Sequence, residues 1–297
     1  MSTVAIWVSR ELVTHMSQEE LSPPPITRDD VHRVPDDRFR EERVAVVTGA
    51  ASGIGQATAL AAAVNGLSVL ATDVDGDGLA DTADHAERLD VATHLDTHVA
   101  DLEREDDVED IAERARSLGS VTFLANVAGL QHVAPLESFP TAAFDRLYRV
   151  MVRGPFLLTR ALWPDLRDDG GCVGNMASLH GHYVTSDKVA YNVSKFAIRG
   201  LTQSIAAEGD GTVRSFSVST GYVKTPLVVD QIPETAEQRG IDVDEVISDV
   251  MLGQSRVSEM MLPIDVANLF VLGFSDLATH LNGGDLRFDG GASLTYE

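Results

Sequence analysis

From residue 44 onward, short continuous apolar runs alternate with longer stretches in which apolar residues recur at helical spacing. The run "VAVVT" (44–48) reads as a strand buried on both faces, and the alanine-rich residues 54–66 as the helix after it. "LSVLATD" (67–73), "THVAD" (97–101), "VTFLANVAG" (121–129), "GCVGNMAS" (171–178) and "TVRSFSVST" (212–220) continue the strands, with helical segments near 105–118, 141–163, 188–208 and 242–256. Strands without a polar face, separated by helices, imply an α/β fold: one doubly wound parallel sheet covered on both sides. That domain is expected over 44–297, with no internal repeat.

Residues 1–43 break the pattern. "SPPP" (22–25) and the charge-dense "RDDVHRVPDDRFREER" (28–43) hold few apolar residues and read as an N-terminal extension or linker, partly disordered. No basic start followed by an apolar stretch marks a signal peptide, and no apolar run is long enough to span a bilayer. The single cysteine, Cys172, excludes an internal disulfide and a cysteine metal cluster. A cytoplasmic location is expected.

Charge changes the picture of partners. There are 23 Lys and Arg against 46 Asp and Glu, a net charge of -23. Such a surface disfavours nucleic acid and anionic membrane. It suits either adaptation to high salt or the replacement of Lys by Arg in a GC-rich genome.

The first strand runs into "TGAASGIG" (48–55). Gly49, Gly53 and Gly55 there allow a tight turn and bring backbone N–H groups and a helix N-terminus close to a pyrophosphate. This strand–turn–helix is a dinucleotide site, which makes the sheet Rossmann-like. Asp73 ends the second strand, where a carboxylate accepts hydrogen bonds from ribose hydroxyls and repels a 2′-phosphate; NAD is therefore expected over NADP. "DVDGDGLADTAD" (73–84) imitates a calcium loop, but a strand enters it and Asp84 stands where a chelating Glu is required, so no metal is expected.

Two of the chain's three lysines, Lys188 and Lys195, flank Tyr191. On a helix, Tyr191 and Lys195 share a face, and Lys188 is expected on that face too. An ammonium favours phenolate, so the Tyr191 pKa is expected below its usual value of about 10, in range for a general acid/base. A compact ammonium also bonds a ribose, which explains lysine in a chain that otherwise uses arginine.

Together "TGAASGIG", "NVAG" (126–129), Ser178 and Tyr191-x-x-x-Lys195 resemble the short-chain dehydrogenase/reductase family over about 44–297. The resemblance implies that Ser178 orients the substrate oxygen, Tyr191 exchanges its proton, and Lys195 holds the nicotinamide ribose. It implies cofactor contacts at Gly49, Ser52, Gly53, Ile54, Gly55 and Asp73, and at Asp101 and Leu102 of "ADL". Further contacts are implied at Asn126, Ala128 and Gly129, at Tyr191 and Lys195, and at Gly221, Val223 and Thr225. It also implies a homotetramer. Met151 departs from the family pattern: it occupies the place of an asparagine that helps hold a relay water, partly through its backbone carbonyl. Thr220 replaces a proline.

The segments "NVAGLQHVAPLESFP" (126–140), "SLHG" (178–181), "KVAY" (188–191) and "GYVKTPLVVDQI" (221–232) resemble the D-3-hydroxybutyrate dehydrogenase branch. There a small carboxylate is held by four polar residues, which correspond here to Gln131, His180, Lys188 and Gln231, beside Ser178 and Tyr191. The expected reaction interconverts a short 3-hydroxy acid and its 3-oxo acid with NAD. Alternatives are another secondary alcohol (sugar, steroid or aliphatic), or a weakly catalytic dinucleotide sensor resting on Met151. Residues 223–240 read as a lid over the pocket, mobile without ligand, with Pro226 and Pro233 limiting regular helix.

Overall fold

The computed structural model of the protein describes residues 22–294. Seven strands form one parallel sheet: β1 (Arg43–Thr48), β2 (Ser68–Asp73), β3 (Leu95–Val99), β4 (Ser120–Asn126), β5 (Cys172–Met176), β6 (Arg214–Thr220) and β7 (Gly284–Phe288). Their order is β3-β2-β1-β4-β5-β6-β7. The direction of winding reverses between β1 and β4, where Val46 is paired with Leu70 on one side and Leu124 on the other. A doubly wound sheet opens a crevice at the carboxyl ends of its strands at that point.

The main helices are α1 (Gly53–Val64), α2 (Gly76–Arg88), α3 (Glu105–Leu118), α4 (Thr141–Tyr148), α5 (Gly154–Ala161), α6 (Val189–Gly209), α7 (Pro226–Val229), α8 (Gln231–Arg239) and α9 (Pro263–Phe274). Alternation along β1 sets the two layers. Ala45 and Val47 face one core with α1, α2 and α9; Val44 and Val46 face the other with α3, α5 and α6. The alanines of α1 let it lie close to the sheet, while Phe216, Phe270 and Phe274 fill the space under α9. Arg214 closes the C-terminal end of α9, its guanidinium donating to the carbonyls of Gly273, Phe274 and Ser275.

The expected elements are present, with instructive differences. Three elements were not apparent in the apolar pattern. Helix α2 lies within the calcium-loop imitation; α9 is buried on most sides and so shows no polar stripe; β7 is a short, partly exposed edge strand. The expected helix over 141–163 is interrupted by a π-helical turn, Arg149–Arg153. The segment 242–256 holds a short turn, Val243–Glu245, and a second π-helical stretch, Val246–Met251. Pro233 does not prevent a helix, because it falls in the first turn of α8, where its missing N–H costs nothing.

Residues 1–21 of the N-terminal extension lie outside the described residues. Residues 22–42 run along the back of the domain, and two asparagine amides serve them as a strand edge would. Asn65 donates to His32 O (3.1 Å) and accepts from Val34 N–H (2.9 Å). Asn268 donates to Asp30 O and accepts from His32 N–H, both at 2.9 Å. Val31 is buried against the core, and Arg38 reaches Phe274 O (2.8 Å) while paired with Asp36 and Asp276.

Candidate active site

The crevice is built mainly from backbone. Thr48 ends β1, and its Oγ1 accepts from Val127 N–H (3.0 Å) and Ala128 N–H (3.2 Å), pinning the turn after β4 to the turn after β1. At Gly55 an added Cβ would lie 1.9 Å from Gly49 O, so the turn closes only on hydrogen. The first N–H groups of α1 consequently face the cleft, with Ser52 extended at the cap.

Gly49, Ser52, Gly53, Ile54 and Gly55 all line this cleft. So do Asp73 at the tip of β2, Asp101 and Leu102 after β3, and Ala128 and Gly129 after β4. Gly221, Val223 and Thr225, after β6, complete the wall. Asn126 does not line it: buried behind the floor, it donates to Asn175 Oδ1 at 2.9 Å. The Asp73 carboxylate accepts from Ala51 N–H and from Asp75 N–H, each at 3.1 Å, which fixes it at the rim. In the calcium-loop imitation, Asp75 caps α2, taking Asp77 N–H (3.1 Å) and Gly78 N–H (3.2 Å). The glycine cradle and the rim carboxylate fit a dinucleotide.

Ser178, Tyr191 and Lys195 meet at the inner end of the cleft. Ser178 sits at the carboxyl end of β5 and caps the turn Leu179–Gly181, accepting from His180 N–H at 3.1 Å. Tyr191 lies in the first turn of α6, one turn before Lys195. The Lys195 ammonium donates to Met176 O at 2.7 Å and lies 5.3 Å from the Tyr191 ring centre.

The expected lowering of the Tyr191 pKa is not found. Burial pushes the phenol up to about 12, and a hydrogen bond with Ser178 opposes it only in part. Burial also brings Lys195 down to about 8. The physical reason is that Lys195 directs its charge at a main-chain carbonyl in a dry site, so desolvation outweighs attraction. Lys188 departs from its expected place too: it precedes α6 as the cap residue, with φ −127°, instead of sharing the helical face.

The residues implied for an acid substrate divide into two pairs. His180 is buried beside Ser178 and Tyr191: Nδ1 is 3.4 Å from Ser178 Oγ, Nε2 is 3.1 Å from Thr185 Oγ1, and the ring meets Tyr191 edge-on. Burial, with the charges of Lys188 and Lys195, lowers its pKa to about 4, so it is a neutral imidazole at neutral pH. Lys188 is lowered as well, by burial first and then by the charge of Arg239. Gln131 and Gln231 make local bonds instead. Gln131 Oε1 accepts from His132 N–H (3.2 Å), and the Gln231 amide donates to Leu227 O. None of the four lines the cofactor cleft.

Met151 lies within the π-helical turn, 3% exposed, and its thioether fills the space beside Gly129. Inserted turns of this kind recur at functional sites because they redirect backbone groups. Three contributors went unnoticed in the sequence. Thr48 has a strand-end signature shared by many threonines. Half-buried Tyr222 acts on Tyr183 and Tyr191, and Arg239 acts electrostatically on both Lys188 and Tyr222. Only the folding of α8 back over the site brings Arg239 there.

Comparison with known proteins agrees with this geometry. The model of the short chain dehydrogenase family matches residues 43–236. The D-beta-hydroxybutyrate dehydrogenase of Rhizobium meliloti is 34% identical over 253 residues, covering 84% of this chain and 98% of that protein. The enzyme of the same name from Cupriavidus necator is 32% identical, covering 84% and 97%. Among solved structures, levodione reductase superposes with a TM-score of 0.80 at 27% identity, covering 86% of this chain and all of that one. A seven-stranded doubly wound sheet, a glycine cradle at its switch point and a serine, tyrosine and lysine at the inner end of the cleft place this chain in the short-chain dehydrogenase family of oxidoreductases.

Proposed function

We propose that the protein interconverts a short 3-hydroxy acid and its 3-oxo acid, with NAD as the hydride carrier. The observation that carries the reading is His180, a neutral imidazole set against the Ser178 hydroxyl and the Tyr191 ring and close enough to Lys188 to feel its charge. In a chain with a net charge of -23, a basic cluster of Lys188 and Arg239 at this end suits a carboxylate. The resemblance to two enzymes named D-beta-hydroxybutyrate dehydrogenase supports the same class.

The cradle at Gly49–Gly55 would hold the pyrophosphate, Asp73 the adenosine ribose, and Lys195 the nicotinamide ribose. The bound dinucleotide supplies the hydride acceptor or donor. Ser178 would turn its hydroxyl proton to the substrate oxygen and hold that oxygen against Tyr191. Tyr191 then gives or takes the proton on that oxygen. Its raised pKa keeps the phenol protonated, ready to act as an acid; a cationic nicotinamide and a redirected Lys195 would favour the phenolate for alcohol oxidation. Asp73 supports NAD, since a second anion on the ribose would face a fixed carboxylate. The apolar residues Phe156, Val193 and Phe196, exposed on α5 and α6, support association as a homotetramer.

A second reading, oxidation of a neutral secondary alcohol, rests on Gln131 and Gln231, which bond locally instead of joining Lys188. Absorbance of reduced nicotinamide, followed with (R)-3-hydroxybutyrate and with uncharged alcohols under NAD or NADP, separates the two. Turnover of the acid with NAD is expected. Preference for an uncharged alcohol would replace the first reading with the second, and NADH binding without turnover of any substrate would point to a sensor.

A further inference from the structure

Outside the cleft, one buried polar cluster has no counterpart in the reaction as described so far. Strand β6 carries Ser217 and Ser219 on one buried face. Asp285, opposite Ser217 on β7, accepts from both through Oδ1, at 2.5 Å from Ser217 Oγ and 2.8 Å from Ser219 Oγ. Its other oxygen takes His182 Nε2 at 2.9 Å, and Ser219 Oγ lies 3.2 Å from the same nitrogen. The side chains of His182 and Asp285 are 16% and 13% exposed, so the bond is largely shielded from water. A carboxylate accepts only, which places a hydrogen on Nε2.

His182 is the residue at which the turn carrying Ser178 ends. That turn is held at its start by Ala177 N–H on Val218 O (2.9 Å) and in its middle by Arg199 on Gly181 O (2.6 Å). At Gly181 it presses on α6 so closely that a Cβ would lie 2.7 Å from Lys195 O. His182 supplies the last anchor and ties the turn to the far edge of the sheet.

We infer that His182 and Asp285 are positioning residues: they clamp the Ser178–His182 turn to β6 and β7, and so set the Ser178 hydroxyl against Tyr191. The role holds for reduction of any carbonyl in this site and does not depend on the substrate being an acid. Displacement of a reacting group by an ångström costs up to about a hundredfold in rate, so a clamp at this distance from the chemistry acts on turnover. Asp285 keeps two serine donors when His182 is replaced, so its carboxylate is not left without partners.

The test compares His182→Phe, which keeps a ring but no donor, with His182→Gln, which restores an N–H. Both are read by NADH fluorescence for cofactor binding, by kcat and KM for acetoacetate, and by the isotope effect with deuterated NADH. If the native enzyme reduces a neutral ketone instead of acetoacetate, that ketone carries the same comparison. His182→Phe is expected to bind NADH within about twofold of native, to lose about tenfold or more in kcat, and to show a larger isotope effect. His182→Gln is expected to recover most of the loss. Native turnover in His182→Phe, equal loss in both variants, or NADH affinity falling together with kcat would overturn the inference.

Discussion

The two halves of the active site are made differently. The cofactor half is lined by strand ends, a glycine turn and the start of α1, all fixed by the sheet. The proposed substrate half draws on side chains from separate segments: His180 in a tight turn, Lys188 before α6, Tyr222 just before the 223–240 region and Arg239 within it. Helices α7 and α8 pack on a small core of their own, around Ile232, Val246, Ile247 and Met251. Backbone geometry follows from topology, whereas a wall of side chains depends on where each long residue is directed.

Substitutions should separate the halves. Tyr191→Phe removes the proton-transfer group at their junction and is expected to lower kcat by about 10²–10⁴-fold with NADH binding unchanged, read by steady-state kinetics and fluorescence titration. Gly55→Ala puts a methyl 1.9 Å from Gly49 O, so cofactor binding is expected to be abolished or nearly so, measured by titration calorimetry on protein whose melting is checked in parallel. Asp73→Asn is expected to relax the preference for NAD over NADP by about tenfold, read as a ratio of kcat/KM values. Hydrogen exchange of residues 223–240 is expected to slow on adding NAD and acetoacetate, while the β1 turn changes little; uniform exchange in all states would contradict a separate lid.

The smallest expected effect concerns pH and stability. Lys195 has its pKa lowered by burial to about 8, so the folded state disfavours its charge. The unfolded chain binds the extra proton between pH 8 and the ordinary lysine value of 10.5, and stability therefore gains from deprotonation as pH rises through that window. A Lys195→Met variant lacks the burial penalty. Its melting temperature relative to native is expected to be highest at or below pH 8 and to fall as pH approaches 10.5. A difference that grows with pH would contradict the assignment.

How much of this was legible in the sequence follows the same division. The glycine spacing, Asp73 and the Tyr191–Lys195 interval specify backbone and one helix face, and the structure brings them to one cleft. Helix α9 escaped notice because burial on most sides erases periodicity, and β7 because an edge strand tolerates Asp285 and Arg287. The Tyr191 pKa was misjudged because local spacing counts neighbouring charge but not the loss of water around it. Gln131 and Gln231 kept their local bonds because an amide satisfies itself with any nearby backbone group. In residues 22–42, charge density masked two asparagines, Asn65 and Asn268, that lie far away in the chain and supply the missing partners.

The most direct test is the effect of Lys188→Ala on the acid and on the cofactor separately, with initial rates of NAD reduction by (R)-3-hydroxybutyrate. Removal of a buried charge-assisted bond is expected to raise KM for the acid by about tenfold or more, with KM for NAD near its native value. An unchanged acid KM, or a parallel loss for both ligands, would contradict a substrate half built on Lys188.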